Sequence, residues 1–338
     1  MTGYNNKTRK IPTYFILGYP RSGTTWFANL FNTHPDIVYR HEMIGRCYQA
    51  FPGELFRRLK FDFSLTESDY QKAIKIILSP NIESDRAPFF KKNHLIINYP
   101  QIHYFSWLAS RTVSVFRPLY KYMFYPKGPD LKLVIKETRS TLNMDSIIKG
   151  IRSDQNIILF RHPCGAIASS LRGIETGKMQ LSTKVDRMKW FYEVKDSEYI
   201  TSLHMNASQM QSLPEHEYLA LRWRMQNEDY LAFSTMNIDN IYINYEDFMI
   251  DQERKVKVLF AKLSLNYVPS VKYFISASSG MKSSKPLLKD SSSNFYSVYR
   301  NEGFNPDHWK QTLYPDQIAA IEKHTLDVFD KLLVHSGQ

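Results

Sequence analysis

The sequence predicts an α/β fold in which helices flank a central parallel β-sheet, giving three layers. Short apolar runs, often β-branched, have the length of buried strands and occur at Tyr14–Leu17, Leu131–Ile135, Asn156–Phe160 and Ile241–Asn244. Amphipathic helical patterns follow three of these runs, at Thr24–Thr33, Cys164–Arg172 and Gln252–Leu263. Strand–turn–helix units in series favour a parallel sheet with right-handed crossovers.

The 338 residues are predicted to form a single α/β domain over residues 1–335. Residues 45–130, rich in Phe, Tyr and Pro, lack regular alternation and predict an insertion of mixed helix and loop that shapes a substrate cleft. Residues 276–294 are rich in Ser and Lys and predict a mobile loop. An amphipathic helix at Pro315–Leu333 closes the domain.

The composition narrows the class of protein. The net charge of 44 − 33 = +11 favours an anionic partner, but the cations are scattered, which argues against nucleic acid. No apolar run approaches the roughly 18 residues of a membrane span, and Met1–Lys10 is too polar for a signal peptide. Two cysteines, Cys47 and Cys164, cannot form a disulfide framework, so we expect a reducing, cytoplasmic location.

A glycine-rich loop, Gly18–Thr25, lies between the first predicted strand and the first predicted helix. Its Gly-x4-Gly spacing is that of a phosphate-binding loop, in which backbone N–H groups at a helix start bind an anion. A nucleotide P-loop has Lys after the second glycine, whereas Thr24 occupies that position here and Arg21 lies inside the loop. This difference, and the lack of an acidic magnesium motif, argue against a P-loop kinase or NTPase.

The string Pro20–Trp26 resembles the 5′-phosphosulfate loop of sulfotransferases that use 3′-phosphoadenosine 5′-phosphosulfate (PAPS). A second match, Ile157–Ser169, resembles the 3′-phosphate motif of the same family, in which a strand ends in Arg and a Ser follows on the next helix. The resemblance implies a P-loop sulfotransferase architecture and PAPS as cofactor. The cofactor-binding residues that these two motifs imply are Arg21, Ser22, Gly23, Thr24, Thr25, Trp26, Arg161 and Ser169.

Two later segments extend the resemblance across nearly the whole chain. Tyr242–Phe248 is similar to the family's strand with Tyr-Glu-Asp, which makes Tyr245 a candidate cofactor contact. Tyr299–Gly303 resembles the segment that folds over the 3′-phosphate and implies Arg300 and Gly303 as contacts. Asn301 replaces the usual Lys there, and one additional residue precedes Gly303.

Sulfuryl transfer requires a base on the acceptor and positive charge on the bridging oxygen. The cytosolic enzymes of the family supply a His after a Lys-Thr pair, but the comparable segment here, Val134–Arg139, has Lys136 and no His. The tyrosylprotein sulfotransferase branch implies a substitute, because its glutamate follows the loop arginine at a separation that Glu42 reproduces (42 − 21 = 21).

We therefore predict Glu42, just beyond a second short strand at Ile37–His41, as general base. Lys136 and Arg21 are predicted to stabilise the bridging oxygen. Glu137 and His41 are reserve bases, and Glu137 could instead pair with Lys136. A salt bridge from Glu42 to Arg40 or Arg46 is the structural alternative to its role as base.

The predicted function is a PAPS-dependent sulfotransferase acting without a metal on a hydroxyl or amine of a small-molecule acceptor, such as a natural product, lipid or sugar. The alternatives are a P-loop kinase or NTPase and a basic nucleic-acid-binding protein. The sequence leaves open the acceptor, the choice between O- and N-sulfation, and the oligomeric state.

Overall fold

The computed structural model describes residues 10–61, 65–138, 143–235, 239–278 and 305–337. Its centre is a five-stranded sheet in which every paired strand is parallel. The strands are β1 (Thr13–Leu17), β2 (Ile37–His41), β3 (Lys132–Glu137), β4 (Gln155–Phe160) and β5 (Asp239–Asn244). Their order is β2-β3-β1-β4-β5, so the carboxyl end of β1 lies between those of β3 and β4.

Helices occupy most of the remaining described chain. They are α1 (Thr24–Asn32), α2 (Met43–Arg46), α3 (Gly53–Phe61), α4 (Glu67–Leu78), α5 (Pro100–Thr112), α6 (Arg117–Met123), α7 (Met144–Ile151), α8 (Pro163–Glu175), α9 (Lys184–Val194), α10 (Glu198–Ser202), α11 (Ala207–Ser212), α12 (Glu215–Ala232), α13 (Tyr245–Ile250), α14 (Gln252–Lys262), α15 (Pro269–Ser278) and α16 (Pro315–His335). None of the described helices is both long and apolar enough to cross a membrane.

Each face of the sheet carries its own apolar core, which explains why the strand sequences are almost continuously hydrophobic. On one face, Ile16 of β1 packs in a cluster with residues of α1, α14 and α15. On the other face, Phe15 and Leu17 pack in a cluster with residues of α4, α7 and α16. Side chains alternate between the two faces along each strand, so both sets are buried.

The structure confirms the predicted fold class. The four predicted strands correspond to β1, β3, β4 and β5, and the short strand predicted before Glu42 is β2. The four predicted helices correspond to α1, α8, α14 and α16, with ends shifted by at most three residues. Such shifts are expected, because helix ends depend on capping contacts as well as on periodicity.

One predicted boundary needs correction. The loop predicted at 276–294 begins too early, because residues 276–278 form the last turn of α15. Ser278 is buried there and accepts a hydrogen bond from the Trp26 indole, a long-range contact that sequence composition does not reveal. The rest of the predicted loop lies outside the described residues.

Candidate active site

The loop between β1 and α1 has the tight geometry that its two glycines allow. A Cβ on Gly18 would lie 2.4 Å from the Leu159 carbonyl oxygen of β4, so the backbone approach excludes any side chain. Gly23 has φ 85°, and a Cβ there would lie 2.2 Å from the Tyr245 ring. Arg21 also adopts a left-handed conformation, with φ 70°. Local strain of this kind is typical of a segment shaped for function.

The same loop offers hydrogen-bond donors to an anion. Gly23 caps the amino end of α1, whose first N–H groups have no acceptor within the helix and lie at the positive end of its dipole. The Ser22 hydroxyl is fully buried, and it has no hydrogen-bond partner among the described residues. A buried donor without a partner beside a helix amino end fits a bound phosphate or sulfate oxygen.

The three side chains predicted to hold the two ends of the cofactor lie together. Arg21 Nε donates to Ser169 Oγ at 3.1 Å, which joins the loop to α8. Arg161, which follows β4, donates from its guanidinium to the Arg21 carbonyl oxygen at 3.1 Å. Its Nε lies 3.4 Å from a carboxylate oxygen of Glu246. The structure therefore brings Arg21, Arg161 and Ser169 to one point at the carboxyl edge of the sheet.

The two predicted aromatic contacts lie beneath the loop. Tyr245 is completely buried, with its ring against Gly23 and the Arg161 guanidinium 5.4 Å from the ring centre. Trp26 is buried against Phe248 and Phe274, at ring-centre distances of 6.5 and 6.2 Å. In this structure both aromatic residues support the loop through packing.

Glu42 and Lys136 are in direct contact at the neighbouring strand ends. Lys136 Nζ donates to Glu42 Oε1 at 2.6 Å, and the Thr138 hydroxyl donates to the same oxygen at 2.8 Å. The Glu42 N–H donates to the Lys136 carbonyl oxygen at 2.7 Å, and Glu42 has φ 49°. Lys136 pairs in register with Ile16 of β1, which precedes the loop by two residues. The predicted base and the predicted cation thus form a buried pair beside the loop.

This pair is a carboxylate and an ammonium. Burial by itself raises the pKa of Glu42, but Lys136 above all outweighs burial and holds that pKa well below its ordinary value. Arg46 also bonds Glu42, through its Nε and the other carboxylate oxygen. Two cationic partners at short range favour the ionised form.

The alternative role predicted for Glu42, a salt bridge to Arg40 or Arg46, is therefore present in part, because Arg46 pairs with it. Arg40 does not, since its guanidinium pairs with Asp85 at 2.9 Å in the interior. The reserve base His41 lies 3.6 Å from Glu42 and is buried, and this burial lowers the pKa of the imidazole well below its ordinary value. A neutral His41 adds no charge to the site.

Glu137 lies on the opposite face of β3 from Lys136, because successive strand residues alternate in direction. One of its carboxylate oxygens accepts from the Gly45 N–H at 3.0 Å, and the other accepts from the Thr138 N–H at 3.3 Å. Burial raises the pKa of Glu137 to about 7. The close ion pair of Lys136 is therefore with Glu42, and Glu137 is held by backbone donors.

Two residues of the site were not predicted from the sequence. Thr138 donates to the same Glu42 oxygen as Lys136. Its position just past β3 was the one sequence feature that could have indicated this contact. Gln226, buried in α12, donates to the Gly18 carbonyl oxygen at 3.4 Å and to the Thr138 carbonyl oxygen at 3.1 Å. It joins the start of the loop to the end of β3, and nothing in its local sequence indicates this.

Arg300 and Gly303 lie outside the described residues, so their predicted contacts stay predictions. Within the described ranges, no group of three or more His, Cys, Asp or Glu side chains is placed to hold a metal ion.

Fold and site define an α/β protein whose glycine-rich loop and catalytic-type side chains meet at the carboxyl edge of a parallel sheet. The sequence matches the family model described as "Sulfotransferase family" over residues 12–269, and the chain belongs to this family. Membership supports sulfuryl transfer, rather than the alternative kinase or nucleic-acid functions. No curated protein sequence matches the chain.

Solved sulfotransferases show low identity to this chain. The sulfotransferase domain from the Synechococcus PCC 7002 olefin synthase is 16% identical, with TM-score 0.41, and the alignment covers 95% of this chain and 98% of that one. The sulfotransferase domain from the curacin biosynthetic pathway is also 16% identical, with TM-score 0.41 and coverages of 94% and 98%. A mouse sulfotransferase complexed with PAP is 13% identical, with TM-score 0.43 and coverages of 96% and 84%.

Proposed function

We propose that this protein transfers a sulfuryl group from PAPS to a hydroxyl or amine of a small-molecule acceptor, with Glu42 as the general base. The observation that carries the proposal is the buried contact of 2.6 Å between Glu42 and Lys136, beside the glycine-rich loop. This contact pairs a carboxylate, which can accept a proton, with a cation. The pair lies at the carboxyl edge of the sheet, where α/β proteins bind ligands. Bound PAPS would supply the sulfuryl group and a phosphate leaving group.

The loop and its neighbours are suited to hold the cofactor. The Ser22 hydroxyl and the N–H groups of Gly23, Thr24 and Thr25 would donate to the 5′-phosphosulfate. Arg161 and Ser169 would hold the 3′-phosphate, and Arg21 connects both groups through its bond to Ser169.

Lys136 and Glu42 have coupled roles in this proposal. A carboxylate of very low pKa is a weak base, so Glu42 is a poor proton acceptor while it is paired with Lys136. When Lys136 donates instead to the developing negative charge of the leaving group, the burial of Glu42 remains and its pKa rises. Glu42 then accepts the acceptor's proton at its carboxylate.

The helices and loops between β2 and β3 begin immediately after Glu42, at Met43. We propose that they shape the acceptor site, together with segment 175–220. We propose the whole of residues 1–335 as one catalytic domain, and natural-product, lipid or sugar hydroxyls as the first acceptors to test.

A ligand-stabilisation panel tests the cofactor. We expect 3′,5′-adenosine bisphosphate to raise the melting temperature, and ATP–Mg or oligonucleotides to leave it unchanged, because only the bisphosphate fits both predicted phosphate sites. Ligand at 100 times its Kd stabilises by about 2.7 kcal/mol. Stabilisation by ATP–Mg alone would contradict the proposal. Mass-spectrometric screening of acceptor libraries with PAPS then identifies the acceptor.

A further inference from the structure

An extended apolar surface is exposed on α5, α6, the turn between them and the residues just before α5. We call this the α5–α6 surface. Its exposed apolar residues are Ile96, Tyr99, Ile102, Phe105, Leu108, Val113, Val115, Phe116, Leu119 and Tyr122. Val115 and Tyr122 keep 72% and 77% of their area accessible, and every residue from 111 to 119 is exposed. Concentrated exposure of this kind marks an interaction site, whereas scattered exposed apolar residues do not.

The exposed residues follow the helical period, so they form continuous faces. On α5, Ile102, Phe105 and Leu108 are spaced by three residues. On α6, Leu119 and Tyr122 are spaced by three, and Val115 lies in the 3-10 turn Ser114–Phe116 that precedes α6. Such spacing puts the members of each set on one side of their helix.

The inner side of the same helices is firmly packed. Trp107, Tyr120 and Phe124 form their own buried cluster, and the Trp107 indole donates to the Ile82 carbonyl oxygen at 3.0 Å. The Tyr120 hydroxyl donates to Asp85 at 2.8 Å, and Asp85 in turn pairs with Arg40 of β2. The outer apolar face is therefore exposed on a well-anchored element.

The charge of the segment is entirely positive. No Asp or Glu occurs between Arg86 and Asp130. The exposed cations of this segment are Lys91, Arg111, Arg117, Lys121 and Lys127. Apolar and aromatic residues interspersed with Lys and Arg are the composition of helices that lie in the interface of an anionic bilayer.

We propose that the α5–α6 surface docks this protein on an anionic lipid surface, with the apolar face inserted at the headgroup level and the cations against lipid phosphates. A second copy of the chain is a poorer occupant, because apposing two such surfaces would bring like charges together. Nucleobases stack on aromatic side chains, but nucleic acid offers no partner for the aliphatic side chains of this surface. The proposal does not depend on the sulfuryl-transfer chemistry.

Vesicle flotation with the full chain tests the proposal. We expect binding to mixed phosphatidylcholine–phosphatidylserine vesicles, little binding to phosphatidylcholine alone, and release near 1 M salt, where the screening length falls to about 3 Å. The double variant Lys121→Gln/Lys127→Gln should bind about 25-fold more weakly, since each cation near the surface contributes about fivefold. Leu119→Ser/Tyr122→Ser should lose at least about tenfold.

Matched variants change two lysines or two apolar residues elsewhere on the surface. Lys189→Gln/Lys323→Gln removes two exposed lysines of other helices, and Ile250→Ser/Val334→Ser removes two exposed apolar side chains. Both should bind vesicles like the wild type. All four variants should keep the wild-type melting temperature, which verifies the fold.

Three outcomes would overturn the proposal. The first is equal vesicle binding by wild type and the two α5–α6 variants, and the second is no binding by any of them. The third is a concentration-dependent dimer, measured by sedimentation velocity, that Leu119→Ser/Tyr122→Ser dissociates, because the surface would then be an interface between copies.

Discussion

Replacement of Glu42 by Gln separates the basicity of this side chain from its shape. Gln retains an oxygen that accepts from Lys136 Nζ and the Thr138 hydroxyl, so these two contacts are preserved. The bond from Arg46 to the other carboxylate oxygen is lost, because the amide NH2 group cannot accept it. It loses the ability to take a proton from the acceptor. A positioned base contributes about 10²–10⁴ in rate, which corresponds to about 3–5 kcal/mol of activation free energy. We expect kcat to fall by that factor.

The substitution also removes the counter-ion of a buried cation. Breaking a buried ion pair from one side costs about 3–5 kcal/mol, so the melting temperature of Glu42→Gln should fall. The double variant Glu42→Gln/Lys136→Met removes both charges, and we expect it to regain stability. Recovered stability would show that the unpaired charge of Lys136 causes the fall in melting temperature.

The assay is turnover at saturating PAPS over a range of pH, together with calorimetric binding of 3′,5′-adenosine bisphosphate. We expect bisphosphate affinity to change little in Glu42→Gln. In the wild type, the acidic limb of kcat should lie at higher pH than that of kcat/KM if Lys136 already donates to the bridging oxygen in the PAPS complex, because kcat reports that complex and Glu42 would then have lost its main cationic partner. The variant should lack this limb.

Glu137→Gln is the matched control, because it removes a neighbouring buried carboxylate that does not bond Lys136. It should lower kcat much less than Glu42→Gln. If Glu137→Gln abolished turnover while Glu42→Gln remained active, the assignment of the base would be refuted, and the base would lie at the position that follows Lys136.

Three further outcomes are expected. Arg161→Ala should weaken bisphosphate binding by about 1.5–3 kcal/mol, as for a lost hydrogen bond to a charged group, and unchanged affinity by calorimetry would remove Arg161 from the site. Arg21→Ala should lower kcat at saturating PAPS, because the charge it faces grows in the transition state; a rise in KM alone would limit Arg21 to binding. The pKa of Glu137 is raised from 4.5 to about 7, so the folded state binds the extra proton. The contribution of Glu137 to the free energy of unfolding, measured as the difference between wild type and Glu137→Gln, should therefore decrease as pH rises through this interval. We expect a decrease of about 3 kcal/mol, measured by chemical denaturation. An equal decrease with pH in Glu137→Gln would contradict the prediction.

The sequence by itself determined the features that depend on residues close together along the chain. Apolar runs predicted the strands, and the run of special residues from Gly18 to Trp26 predicted a phosphate loop between strand and helix. The resemblance pointed to Arg161 and Ser169, whose separation along the chain corresponds to a strand end and the following helix. The strand, turn and helix predictions held because these features are encoded locally, and the phosphate-binding roles of the loop, Arg161 and Ser169 stay predictions.

The tertiary structure alone decided which carboxylate Lys136 contacts. Glu137 is adjacent in sequence but points to the opposite face of β3, whereas Glu42, 94 residues away, lies in reach because β2 pairs with β3 with His41 opposite Lys136. The contacts of Gln226 likewise depend on the packing of α12. The opposite pKa shifts of the two carboxylates follow from the same difference. Glu42 is buried beside a cation, which lowers its pKa, whereas Glu137 is buried among backbone donors without a close cation, and its pKa is raised.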